Sequence, residues 1–251
     1  MNEGKKLTMQ MALFFLVVFV LLGTIVIKEK QNILFLPKIE NSIMNYISDN
    51  YNELNLNKEN VTENNNTFTM KVTNPTNKNH YFYITYSNKN ITDTYKDDYL
   101  EGKTLLTHLS NKLEKDIEEK TKKKYKVSLD NTLNNYSDKE KELLLKEDIN
   151  TLKVYTIEKE IATSWNKDII VNKITDTMTT LEKENFTPKN YTITITNIDD
   201  ITESVRIYNL KSTLINNDTL TIIINDIISN NNTSILKENK ITYEYLNKEE
   251  I

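Results

Sequence analysis

The sequence predicts an α+β protein: an N-terminal single transmembrane helix followed by two similar α-β-β-α-β modules related by internal duplication. Three observations lead there. An uncharged apolar run fills Met9–Ile27. Downstream, segments with an apolar residue every three or four positions are interleaved with segments that alternate every second residue. Three short stretches also recur in order. Ile47-Ser48-Asp49 matches Ile174-Thr175-Asp176, Lys58–Thr62 matches Lys183–Thr187, and Phe68–Asn74 matches Tyr191–Asn197, at offsets of 127, 125 and 123 residues.

Residues 1–8 are a short tail before the apolar run. At about 1.5 Å per residue the 19 residues of Met9–Ile27 nearly cross a hydrocarbon core of roughly 30 Å. The run is longer than the apolar region of a cleaved signal. It is followed by Lys28-Glu29-Lys30 rather than by a small-residue cleavage site, and no cysteine is present to carry a lipid. An anchor is therefore expected. Lys5, Lys6 and the amino terminus flank one side and Lys28 and Lys30 the other, a near tie in the positive-inside count. A very short tail before a single apolar helix stays inside. The expected placement is thus the cell membrane, with the N-terminus cytoplasmic and the C-terminal part outside.

After a juxtamembrane linker at 28–38, the first module is expected over 39–130. Ile39, Ile43 and Ile47, with Met44, Tyr51 and Leu54, give an amphipathic helix. Phe68, Met70 and Val72 alternate as a half-buried strand. Asn74-Pro75-Thr76-Asn77 is turn chemistry, and Phe82, Ile84 and Tyr86 give the hairpin partner. Leu106, Leu109, Leu113 and Ile117 mark a second helix over roughly 103–121, and Tyr125, Val127 and Leu129 a third strand. A connector is expected over 131–166, where Ser137-Asp138-Lys139-Glu140 has capping-box form. Its Leu152–Ile157 stretch fits a strand, while Val154, Ile157, Ile161 and Trp165 also permit a helix.

The second module, 167–251, repeats the pattern. Ile170, Ile174, Met178 and Leu181 predict a helix, Tyr191, Ile193 and Ile195 a strand, and Val205 and Ile207 its partner. Leu220–Ile228 fits either helix or strand, and the repeat argues for helix. Ile241–Leu246 alternates as the last strand. The α-β-β-α-β order resembles the ring-building motifs of envelope secretion and sporulation assemblies. It also resembles a ferredoxin-like split βαβ and, in part, the cystatin-like domains of small exported proteins. The resemblance is one of element order alone, and fold analogy of this kind does not establish function.

Composition removes several chemistries. With no cysteine there is no disulfide framework, thiolate metal site or cysteine nucleophile. Two histidines and three glycines leave no histidine-rich metal site or glycine-rich phosphate loop. Arg206 is the one arginine among 32 basic residues, a skew that fits an AT-rich genome, as do the abundant Asn, Ile and Tyr. The net charge of −4 argues against nucleic acid as a partner.

No catalytic, cofactor-binding or metal residue is assigned, and no cofactor is expected. His80 and His108 lie 28 residues apart, without metal-ligand spacing. Asp93, Asp97, Asp98 and Glu101, ending at Gly102, do not have the spacing of an EF-hand loop and read as a solvated loop before a helix. Asp199-Asp200 reads as a hairpin tip. No Gly-x-Ser-x-Gly elbow occurs. Tyr81, Tyr83, Tyr86, Tyr95 and Tyr99 crowd one region, which suits half-buried strand positions or a partner surface. Lys120–Lys126 is the one basic patch, read as a solvated helix end favoured by the helix dipole or as a contact for an anionic envelope polymer or lipid.

The expected function is a single-pass membrane-anchored extracytoplasmic scaffold or protein-interaction subunit of a bacterial envelope assembly. Its expected partners are the lipid bilayer through residues 9–27, other envelope proteins and a second copy in a homo-oligomer, with no nucleic acid. The rival expectations are a sensory or regulatory ectodomain acting through a partner and an anchored envelope enzyme.

Overall fold

Val18 and residues 35–149, 154–214, 218–231 and 233–247 are described in this computed structural model. They form two units. The first holds the described residues up to Pro75 together with Phe82–Thr94; the second holds Thr76–Tyr81 and the described residues from Tyr95 on.

The first unit begins with helix α1, residues 35–51. Ile39, Ile43 and Ile47 form one stripe at four-residue spacing, and all three are buried. The sheet comprises β1 (Asn57–Lys58), β2 (Thr62–Asn64), β3 (Thr67–Thr73), β4 (Tyr81–Ser87) and β5 (Asn90–Asp93). Its order is β1-β3-β4-β5, with β2 also pairing β3. Phe68, Met70 and Val72 of β3 and Phe82 and Ile84 of β4 are buried, on the alternation expected from the sequence. Tyr51 of α1 meets Phe82 edge to face at 5.3 Å.

Two tight turns in this unit use left-handed backbone. Asn65 and Asn66 join β2 to β3 with φ of 49° and 61°, and Asn88 and Lys89 join β4 to β5 with φ of 51° and 64°. Two-residue hairpin turns need positive φ at both positions to match strand twist, and asparagine tolerates it better than most residues. The short strands β1, β2 and β5 are largely polar, so no apolar alternation announced them.

The second unit is built on a mixed five-stranded sheet. Before it come a single helical turn at Tyr95–Leu100 and helix α2 (Lys103–Thr121). The sheet strands are β6 (Lys126–Ser128), β7 (Thr156–Thr163), β8 (Asn190–Asn197), β9 (Glu203–Leu210) and β10 (Thr242–Asn247), in the order β10-β9-β8-β7-β6. Strands β7 and β8 are parallel, joined through helix α4 (Lys167–Lys183), and the other pairs are antiparallel. A parallel pair needs a crossover connection, which α4 supplies. Helices α3 (Asp138–Leu145), α5 (Asp218–Ile228) and α6 (Ser234–Glu238) complete the unit.

One sheet face and the helices share a core. It contains Leu105, Leu109, Leu113 and Ile117 from α2 and Ile170, Ile174, Met178 and Leu181 from α4. Ile157, Tyr191, Ile193, Ile195, Val205 and Ile207 enter it from the strands. Leu220, Ile223, Ile224 and Ile227 place α5 there too. That segment is helical despite its β-branched run, because its apolar residues repeat at helical spacing against the core and burial outweighs the small propensity cost. Residues 150–153 lie outside the described part, and the following segment takes the strand alternative as β7. The capping box at Ser137 forms: Ser137 N donates to Glu140 Oε2 at 2.7 Å, and Glu140 N donates to Ser137 Oγ.

Two expectations are corrected. Met9–Ile27, the expected anchor and bilayer contact, lies outside the described residues apart from Val18. Among the described residues no helix is long and apolar enough to cross a membrane. The longest of them, α2, is amphipathic, with Lys112, Glu114, Lys115, Asp116, Glu118 and Glu119 along it. The finding is an α+β fold with a mixed sheet, and it does not support a transmembrane helix or a single-pass cell-membrane protein with an extracytoplasmic part.

The pair of α-β-β-α-β modules is corrected as well. The matching stretches do occupy like elements: Phe68–Asn74 covers β3, Tyr191–Asn197 covers β8, and the first pair lies in α1 and α4. Beyond that the halves diverge. Helix α2 and strand β6, expected to close the first module, belong to the second unit, and β6 pairs there with β7. The expected connector supplies β7, an interior strand of that sheet. Element order is readable from periodicity, but which sheet a helix and a short strand join is decided by long-range burial.

Candidate functional site

Strand alternation sends the residues of the second sheet to two faces. Ile157, Tyr191, Ile193, Val205 and Ile207 enter the core. Lys126, Glu158, Glu160, Thr192, Thr194, Thr196, Ser204, Arg206, Tyr208 and Glu244 share the opposite face through the registers Lys126↔Glu158, Glu158↔Thr192, Thr194↔Arg206 and Glu244↔Arg206. The threonines of β8 are short. Arg206 on β9 can therefore reach over β8, and its Nη2 donates to Glu158 Oε2 on β7 at 2.8 Å. Its guanidinium also lies 5.4 Å from the Tyr208 ring centroid. The Tyr208 hydroxyl donates to Glu244 on β10, and that bond pushes the phenol pKa up. A polar row thus runs from β7 to β10.

A groove of about 520 Å³ lies at the β6–β7 end of this row, lined by Lys124, Tyr125, Lys126, Glu158, Lys159, Glu160, Thr194 and Arg206. Lys159 Nζ donates to the Lys124 carbonyl at 2.9 Å and lies 4.8 Å from the Tyr125 ring centroid. Burial, helped by the charge of Lys123, holds the Lys159 ammonium below the usual lysine range. The arrangement suits an anionic group, because cations held partly out of water gain more from a counter-charge than fully solvated ones.

At the other end β10 forms the sheet edge. All six of its residues pair with β9, and no strand among the described residues pairs with its outer side. The strand carries one charged side chain, Glu244, and no lysine or proline, the residues that commonly blunt an edge. Tyr243 and Tyr245 meet edge to face at 5.9 Å. Their hydroxyls donate to Asn230 Oδ1 and the Ile227 carbonyl at the end of α5. Beside the strand is a groove of about 680 Å³ that includes Leu236, Lys237, Lys240, Tyr243 and Tyr245, with Tyr245 44% exposed.

The residues singled out in the sequence fall elsewhere. His80 is buried, its ring stacked on Tyr99 at 4.0 Å and its Nε2 2.7 Å from the Tyr99 carbonyl. Burial pulls its pKa below the ordinary value. Tyr95 stacks on the same Tyr99 at 5.5 Å. His108 Nε2 lies 3.3 Å from Glu147 Oε1 and 3.1 Å from Asn79 Nδ2. Glu147 also accepts from Lys112 and Asn79, so His108 sits in a polar clamp. Among the described residues no group of three or more His, Asp or Glu is placed to hold a metal.

The acidic cluster divides. Asp93, on β5, accepts from the hydroxyls of Tyr46 and Tyr51, while Asp97 and Asp98 lie in the helical turn before Gly102. Asp200 caps the β8–β9 loop through Thr202, as a hairpin tip. The Lys120–Lys126 run ends α2, where Lys122 closes the helix with φ of 57°, and then enters the groove through Lys124 and Lys126. Sequence reasoning missed Arg206, Lys159 and Glu158. The available signal was the solitary arginine: a planar, fork-shaped cation able to stack and pair at once, where lysine is the default.

Comparison with protein-family models, with curated proteins and with solved structures finds no match to this chain.

Proposed function

We propose that this chain is a non-enzymatic protein-interaction module, a scaffold or interaction subunit of an assembly, that engages its partner by strand addition at β10. The observation that carries the reading is the outer edge of Thr242–Asn247, fully paired to β9 on one side and unpaired on the other among the described residues. An exposed edge presents alternating N–H and C=O groups that an incoming extended segment satisfies, and side pockets then add specificity. The groove bounded by Leu236, Tyr243 and Tyr245 supplies such a pocket.

Site-specific photo-crosslinking in the source cells tests this. A crosslinker at Glu244 or Leu246 is expected to trap one discrete partner, with the adduct mapping to an extended segment. The same group at Ile222, exposed on α5, is expected to trap none. Trapping from Ile222 alone, or none from β10, contradicts the reading.

A further inference from the structure

We propose that the groove lined by Lys124, Lys126 and Arg206 on the open face of the second sheet docks an extended acidic peptide segment of a partner protein, with acidic residues at alternate positions. This surface is distinct from the β10 edge, and the two readings stand or fall separately.

Charge is the first argument. The chain carries a net charge of −4, yet the groove gathers Lys124, Lys126 and Arg206 against Glu158 and Glu160. Glu158 and Arg206 neutralise each other at 2.8 Å, which leaves Lys124 and Lys126 against Glu160. The local balance is therefore positive within an acidic protein, and complementary potential of this kind selects acidic partners and speeds their encounter.

Spacing is the second argument. Lys124 and Lys126 are two residues apart on the extended approach to β6, and both line the groove. Alternate residues of an extended chain lie about 6–7 Å apart, which matches alternate side chains of an extended ligand.

The carboxylates argue for a peptide over a uniform polyanion. Glu158 and Glu160 sit among the lysines, and a phosphate chain laid along the groove would meet them at every pass. A peptide with neutral residues between its acids avoids that repulsion.

The test is a fluorescence anisotropy titration of the full-length chain with a labelled peptide of alternating Glu and Thr. Inorganic polyphosphate and the Gln-Thr peptide are the comparison ligands. Saturable binding is expected for the Glu-Thr peptide only, weakened about tenfold or more by Lys124→Glu combined with Lys126→Glu, and weakened by salt. Lys115→Glu combined with Lys139→Glu, exposed on α2 and α3 and outside both grooves, should leave it within about twofold. Lys124→Gln and Lys126→Gln, checked for fold by circular dichroism, give the same direction with a smaller loss. Absence of saturation, indifference to the groove variants, or tighter binding of polyphosphate than of the peptide would overturn the proposal.

Discussion

Lys112 on α2 donates from Nζ to Glu147 Oε2 at 2.6 Å, just past the end of α3. Glu147 sits in left-handed backbone with φ of 57°, and its other oxygen takes Asn79 Nδ2 at 3.0 Å. One carboxylate thereby ties α2, the residues after α3 and the segment around Asn79 together.

That clamp sets an acid limit. The Lys112 hydrogen bond first, then Asn79 and the nearby charges, hold Glu147 below its ordinary 4.5, at about 2, against the opposing effect of burial. Because the folded value is depressed, the stabilisation is complete above the unfolded value and is lost as pH falls from about 4.5 towards about 2. Glu147→Gln is expected to flatten the melting temperature over that window and to cost about 1 kcal/mol at neutral pH. Thermal melts at stepped pH check both.

Gly102 starts α2 with φ of 74°, and a Cβ built there would lie 2.3 Å from Leu133 side-chain carbons. Both the backbone and the packing therefore call for glycine. Gly102→Ala should destabilise the second unit by about 1–3 kcal/mol, read by denaturant titration. Leu133→Ala combined with it should recover part of the loss if the clash dominates.

Asp93 accepts from two tyrosine hydroxyls of α1, Tyr46 and Tyr51, with the Tyr51 bond at 2.8 Å. The pair of bonds fastens α1 to β5. Asp93→Ala removes both bonds and should cost the first unit about 1–2 kcal/mol, with faster amide exchange in α1. Tyr46→Phe, which removes one donor and keeps the ring, should cost less.

Much of the fold was legible because each core element carries its own period. Ile39, Ile43 and Ile47 announce α1, and Phe68, Met70 and Val72 announce β3. The strands β1, β2 and β5 were not legible, since residues such as Asn57, Glu63 and Asn90 alternate nothing apolar and are held by pairing to β3 or β4. The destination of α2 was also hidden, because Leu109 and Ile117 would serve any core of suitable shape. The groove was legible only in part. Its basic run, Lys124 and Lys126, stands out in the sequence, but Lys159 and Arg206 arrive from strands β7 and β9 and meet it only through sheet register. The clamp is similar: Asn79, His108 and Glu147 meet because a loop folds onto a helix, which no local spacing encodes.

Arg206 should resist replacement by lysine. It pairs with Glu158 across β8 and stacks on Tyr208 at once, and an ammonium cannot do both. Arg206→Lys is expected to cost up to about 1 kcal/mol by thermal melt, with Thr194 variants of similar size near neutral.

Residue-resolved amide exchange of the full-length chain examines the open edge at β10 directly. Only alternate amides of an edge strand bond inward to its neighbour. The expected result is therefore strong protection at alternate positions of Thr242–Asn247, with near-unprotected exchange at the positions between. Uniform protection along all of Thr242–Asn247 in the isolated chain would show that edge already covered and would contradict strand addition there.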